Sequence, residues 1–321
     1  MKVNFRKYEP EMDFLRVRDM LVQTFRAFEK PINWTFERWN YARYFAAPML
    51  GAYGKTENTT EKSLEAIRLW EDAVGIWENE KSEIVAVVCP DEHVPDHPSY
   101  GLAYFQRRPG YDFLLEEMLD YTEGTYINND RTRVYINEHD ESLTQAAKKR
   151  GYAKGERSSA WFMEYVLKDL PEPHLPQGFR FLSMAEDNDL EKRRKIFGLS
   201  FRHKDPKEWP TLFSCQELQK APDYRKDLDL VIVGPDGEYV ACCIVWIDEY
   251  NKFARLEPVG SIVLGMGREV VMEGLRRAAA LGMEKSYMES GLRFYKTIGF
   301  KPLYECGCNW TLFPKIRNPN L

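Results

Sequence analysis

Apolar positions along this chain follow two periods, and the sharpest change between them lies in its C-terminal third. Residues 256–264 read as an extended strand running into Gly265-Met266-Gly267. Beyond that pair, Val271, Leu275, Ala278 and Leu281 recur at helical spacing, while Glu273, Arg276 and Arg277 point elsewhere. Glycines at a strand-to-helix turn let the backbone fold tightly and aim free N–H groups outward, at the positive end of the helix dipole. That geometry binds anions, and phosphate is its usual guest.

From its start, the pattern predicts a strand over residues 3–8 and a helix over 11–25. The buried side of that helix carries Met12, Leu15, Met20, Leu21 and Phe25. A charged helix over 59–70 precedes hairpin strands at 73–77 and 84–88. Strands are predicted next at 100–106, 132–136 and 158–167, the last closing the first half. Helices fall at 112–123 and 142–150, with Gly151 capping the latter. The second half predicts strands at 228–233, 239–247, 253–260 and 285–289, a short helix at 292–298, and one final strand at 303–312.

Residues 169–178 hold three prolines in ten positions and read as a stiff connector. Similar motifs stand on either side of it. Phe5-Arg6 is echoed by Phe179-Arg180, Thr24-Phe25-Arg26 by Ser200-Phe201-Arg202, and the Pro31 to Trp34 spacing by Pro206 to Trp209. The pattern predicts two copies of one fold, residues 1–168 and 179–321, joined by 169–178.

Composition narrows the function. The 321 residues suffice for two cores, and 44% hydrophobic with 30% charged residues is ordinary for a soluble globular chain. Eight Trp, eighteen Tyr and eighteen Phe favour deep cores or a lined pocket. A net charge of −5 argues against general nucleic-acid binding. No signal peptide opens the sequence, and no apolar run approaches the about 20 residues that span a bilayer. The six cysteines lack a secreted-framework spacing, so reduced thiols in the cytoplasm are expected. His93 and His97 sit between prolines, and the Cys242-Cys243 and Cys306, Cys308 pairs lack partners at zinc spacing; no metal site is predicted. A monomer or homodimer is expected.

The order hairpin, strand, glycine turn, helix, strand and then residues 291–300 resembles the GNAT N-acetyltransferase superfamily. Residues 293–302, beginning Arg293-Phe294-Tyr295 and ending Gly299-Phe300-Lys301-Pro302, closely match that family's FYxxxGFxP signature. The match covers the C-terminal half, and the whole chain looks like a tandem GNAT with a diverged N-terminal copy. The resemblance implies an α+β fold of two domains, each a mostly antiparallel mixed sheet flanked by helices. It also implies acetyl transfer from acetyl-coenzyme A to an amine of a small molecule. The pyrophosphate would sit on the backbone of Gly265, Met266, Gly267 and Arg268. The strand carrying Pro258, Val259 and Gly260 would splay from its neighbour and bond the pantetheine arm. Tyr295 would protonate the departing thiolate, and either Glu257 or Glu289 would serve as base.

Two departures accompany the match. Ile262 stands where the family turn carries a basic residue, and the segment between Gly260 and Gly265 is shorter than usual. In the N-terminal copy Asp112-Phe113-Leu114 replaces the glycine pair, and Ala146 and Ala147 stand where Phe294 and Tyr295 are expected. That half reads as non-catalytic. The shortened turn leaves a second reading open, a non-catalytic GNAT-like protein that binds a ligand or partner.

Overall fold

The computed structural model describes residues 2–49, 59–95 and 97–313. The chain opens with β1 (Val3–Lys7), α1 (Pro10–Thr24), α2 (Phe36–Tyr41) and α3 (Thr60–Ala73). Next come β2 (Gly75–Asn79), β3 (Ile84–Cys89), β4 (Leu102–Arg107), α4 (Leu115–Thr125), β5 (Thr132–Ile136) and α5 (Glu141–Arg150). β6 (Ala153–Lys154), β7 (Trp161–Val166), β8 (Arg180–Ser183), α6 (Leu190–Ser200) and α7 (Leu212–Leu218) follow. The remainder is β9 (Asp229–Val233), β10 (Tyr239–Asp248), β11 (Phe253–Ser261), α8 (Met266–Ala280), β12 (Lys285–Ser290), α9 (Arg293–Thr297), β13 (Lys301–Glu305) and β14 (Cys308–Leu312).

Among the described residues two seven-stranded mixed sheets form, in the orders β1-β2-β3-β4-β5-β14-β6 and β13-β7-β12-β11-β10-β9-β8. Their pairings are antiparallel except β4 with β5 and β11 with β12. The repeat seen in the sequence is real at this level, because β1 and β8 are each the edge strand pairing with the next strand of their sheet.

The closing strands do not stay with their halves. β7, expected to close the first copy, pairs with β12 and β13 in the second sheet. The predicted single strand over 303–312 breaks at Cys306-Gly307. Its first part, β13, joins the second sheet and its last part, β14, joins the first. A side chain on Gly307 would collide with the Ile136 carbonyl, 2.0 Å from the Cβ position, so the break needs glycine. The compact units are therefore discontinuous rather than residues 1–168 and 179–321. One comprises Met1–Thr35, Arg68–Ser158 and Cys306–Leu321; the other comprises Phe36–Ile67 and Ser159–Glu305.

In the first unit, β3 is buried along its whole length and forms the floor of a core with Met118, Leu119, Val134 and Trp310. α1 departs from its predicted face: Met12 and Leu15 are exposed, and Asp13, Phe14, Val17, Met20 and Leu21 face inward. The reason is charge pairing. Asp13 takes a bidentate pair from Arg6 at 2.6 and 2.7 Å and a further bond from Arg16 at 2.9 Å, so a carboxylate occupies a buried position. α5 starts on Asp140, which accepts from the Leu143 N–H, and ends on Gly151 at φ +90°.

In the second unit, α8 lies on β10 and β11 with Val270, Val271, Leu275 and Ala278 buried. Gly274 permits the close approach, since a Cβ there would meet the Val245 side chain at 2.9 Å. The proline-rich connector packs against this core through Leu170 and Leu175, and its His174 N–H donates to Glu269 of α8 at 2.6 Å. It is part of the second unit and not a free spacer.

Candidate active site

β11 and β12 run parallel for three residue pairs, Phe253 with Lys285, Ala254 with Ser286 and Arg255 with Tyr287. After Arg255 they part. β11 stays on β10, with Leu256 opposite Val245, Val259 opposite Cys243 and Gly260 opposite Cys242, and with a register shift near Glu257 and Pro258. β12 stays on β7, with Met288 opposite Met163 and Glu289 opposite Phe162. The result is a wedge in the middle of the sheet. Backbone amides along the inner edge of β11 face that wedge instead of another strand, a surface suited to an extended molecule that carries amides of its own.

The wedge ends on the glycine turn. Gly265 caps α8 at φ +89°, with no atom within 4 Å of a Cβ position, so the turn is open on that side. Two of the four expected N–H donors are engaged locally: Met266 bonds the Val263 carbonyl at 3.2 Å and Arg268 the Gly265 carbonyl at 3.1 Å. Among the described residues, the N–H groups of Gly265 and Gly267 have no backbone acceptor. The Arg268 guanidinium pairs with Glu269 at 2.5 Å, and Glu269 is itself held by the connector. Ile262 and Leu264 of the turn are exposed, so its rim is apolar where a phosphate would be expected to meet charge.

Tyr295 lies on α9, immediately after β12. It is 8% exposed, and its ring packs edge-on against Phe294 and Phe300. Burial holds its phenol well above the ordinary tyrosine range, with the Cys243 thiol and the Glu257 carboxylate adding in the same direction. The fold thus brings Tyr295 and Glu257 within electrostatic reach across the wedge. A buried phenol remains protonated at neutral pH.

Both candidate bases sit beside guanidinium groups. Glu257 accepts from Arg38 of α2 at 2.7 Å, and Glu289 lies 3.6 Å from Arg255. Arg255 in turn donates to Glu37 of α2 at 2.6 Å. Sequence reasoning missed Arg38, Glu37 and Arg255. The first two lie some two hundred residues away in the chain, and no spacing signals them. Arg255 shares the strand face of Glu257 by simple alternation and was the one legible omission.

The first unit contains the same wedge in closed form. β4 and β5 pair only at Leu102 with Arg133 and Ala103 with Val134, then separate onto β3 and β14. Here the exposed strand edge is occupied. The Asn33 amide accepts from the Arg107 N–H at 2.9 Å and donates to the Arg107 carbonyl at 2.8 Å. The Arg107 side chain, fully buried, makes a bidentate pair with Asp140 at 2.7 Å and a third bond to Asp112 at 2.6 Å. Asp112 begins the turn leading into α4, so the chain's own carboxylate stands where the second unit has its glycine pair.

Among the described residues, no cluster of three or more His, Cys, Asp or Glu side chains forms a metal site, and no helix is long and apolar enough to cross a membrane.

No family model matches the chain, and no curated protein matches it. Solved structures do. The fold is similar to a tandem GNAT protein from the clavulanic acid biosynthesis pathway, with TM-score 0.58, 9% identity, and coverage of 97% of this chain and 98% of that one. It is similar to a GCN5-related N-acetyltransferase from Sphaerobacter thermophilus, with TM-score 0.54, 15% identity, and coverage of 85% and 92%. N-myristoyltransferase of Saccharomyces cerevisiae aligns with TM-score 0.53 and 12% identity over 98% of this chain and 79% of its own. At these identities the likeness is one of fold: the chain has a GNAT fold in tandem arrangement.

Proposed function

We propose that the second unit is an N-acetyltransferase that moves an acetyl group from acetyl-coenzyme A to a primary amine of a small molecule. The observation that carries this reading is the wedge between β11 and β12, which ends on the Gly265 turn with Tyr295 buried beside it. Pro258, Val259 and Gly260 line the wedge for the pantetheine arm, and the N–H groups of Gly265 and Gly267 are the donors left for its phosphates. Glu257 or Glu289 accepts the proton that the amine loses as its nitrogen bonds the acetyl carbon. Tyr295 gives its proton to the sulfur as the carbon–sulfur bond breaks. The first unit is non-catalytic in this reading, because Asn33 and Arg107 fill the equivalent strand edge.

One observation favours a binding protein instead. The turn carries Ile262 and Leu264 at its rim, and its single cation is paired with Glu269. Thermal denaturation with acetyl-coenzyme A separates the two readings, since a ligand that binds only the folded chain raises the melting temperature. Acetyltransfer requires that rise. It also requires that Tyr295→Phe retain it while turnover falls by about 10² or more. A missing shift leaves the catalytic reading without a donor site, and normal turnover in the variant removes Tyr295 as the acid.

A further inference from the structure

Arg255 is the last β11 residue paired with β12, so it stands at the vertex of the wedge. It is 5% exposed, and its guanidinium is bracketed by Glu37 at 2.6 Å, Glu289 at 3.6 Å and the Phe162 ring at 5.5 Å. Its Nη1 is buried and has no hydrogen-bond partner among the described residues. A guanidinium nitrogen withdrawn from water and left unbonded is costly, and an oxygen delivered to it recovers that cost.

Resting on the acetyltransferase reading of this site, we propose that Arg255 is a specificity-determining residue whose Nη1 takes an uncharged oxygen of the acceptor. The acceptor is then a primary amine that also bears a hydroxyl or carbonyl group. The guanidinium sets the class, because it already stands beside the carboxylates of Glu37 and Glu289. A substrate carboxylate would crowd it further, whereas an uncharged oxygen would not. Distance sets the size. Glu257 lies two residues beyond Arg255 on one strand, roughly 7 Å along it, so ammonium and oxygen belong to one small molecule.

The test is equilibrium binding of 2-aminoethanol, propylamine and glycine to the full chain, followed by saturation-transfer NMR at millimolar concentration. The first two differ by a hydroxyl for a methyl, and the third carries a carboxylate. The expected order is 2-aminoethanol ahead of propylamine by about tenfold or more, with glycine weakest. Arg255→Lys keeps the charge beside Glu37 but loses the fork, and it should erase the gap between the first two. Equal binding of 2-aminoethanol and propylamine, glycine binding tightest, a gap that survives in Arg255→Lys, or no binding of any probe overturns the proposal. The wild-type ranking decides the matter even if the variant fails to fold. Coenzyme A titrated into the same samples reports separately on the donor site, so failure of the acetyltransferase reading is seen apart from failure of this one.

Discussion

Replacing Met163 and Trp310 one at a time tests whether the last strand of each half works in the other unit. Met163 lies on β7, is fully buried, and packs in the second core with Leu230, Ala254 and Met288. Trp310 lies on β14, is 4% exposed, and packs in the first core with Val134 and Leu143. Cutting a buried Met to Ala costs about 2–5 kcal/mol, and Trp to Ala about 3–5 kcal/mol. Even the lower figure raises the population of locally opened molecules about 30-fold, at 1.4 kcal/mol per factor of ten. Amide hydrogen exchange followed by mass spectrometry reads that opening segment by segment.

Met163→Ala should therefore speed exchange in β11 and β12, with β4 and β5 affected much less. Trp310→Ala should do the reverse. β7 holds its place by more than Met163, because Phe162 stacks between Tyr304 at 4.9 Å and Tyr287 at 5.2 Å, an aromatic ladder across β13, β7 and β12. The ladder limits the opening to the second sheet and sharpens the contrast. Faster exchange in β4 and β5 on Met163→Ala, or equal acceleration of both sheets, would refute the assignment of the strands to these units.

Titration with coenzyme A should give one equivalent per chain, because the Asn33 amide and the Arg107 side chain close the first wedge; two equivalents would mean that this closure opens to ligand. The pH profile of turnover should show no alkaline loss up to about pH 10, the ordinary tyrosine value. Burial raises the Tyr295 phenol above that value, and an acid is lost only as pH rises through its own pKa, so a fall centred well below pH 10 would assign the proton to another group.

Much of the architecture was legible because local periodicity and turn chemistry are written in short windows. The α8 stripe, the Gly151 cap and strand β5 all follow from residues within a few positions of one another. What failed depended on partners far along the chain. The 303–312 stretch reads as one strand by composition, yet Gly307 must pass against the Ile136 backbone, and nothing nearby in the sequence says so. Asp13 on α1 was invisible as a core position for the same reason, since its burial depends on Arg6 and Arg16 closing around it. The glycine turn and Tyr295 were found through a motif, whereas Glu37 and Arg38 come from a helix that the chain order assigns to the other half.

α2 precedes the connector in the chain yet lies in the second unit. Residues 36–67 belong to the second unit, and α2 supplies the guanidinium on Glu257 and the carboxylate on Arg255. The N-terminal half therefore contributes more than a closed copy of the fold. It furnishes Arg38 beside Glu257 and Glu37 beside Arg255, and the second copy cut at residue 179 would lack them along with β7. A diverged duplicate kept only as a spacer would owe nothing to its neighbour's site. Here the strand edge that lost its wedge in the first copy and the helix that completes the wedge in the second lie within one stretch, Asn33 on one side of Thr35 and Glu37 on the other.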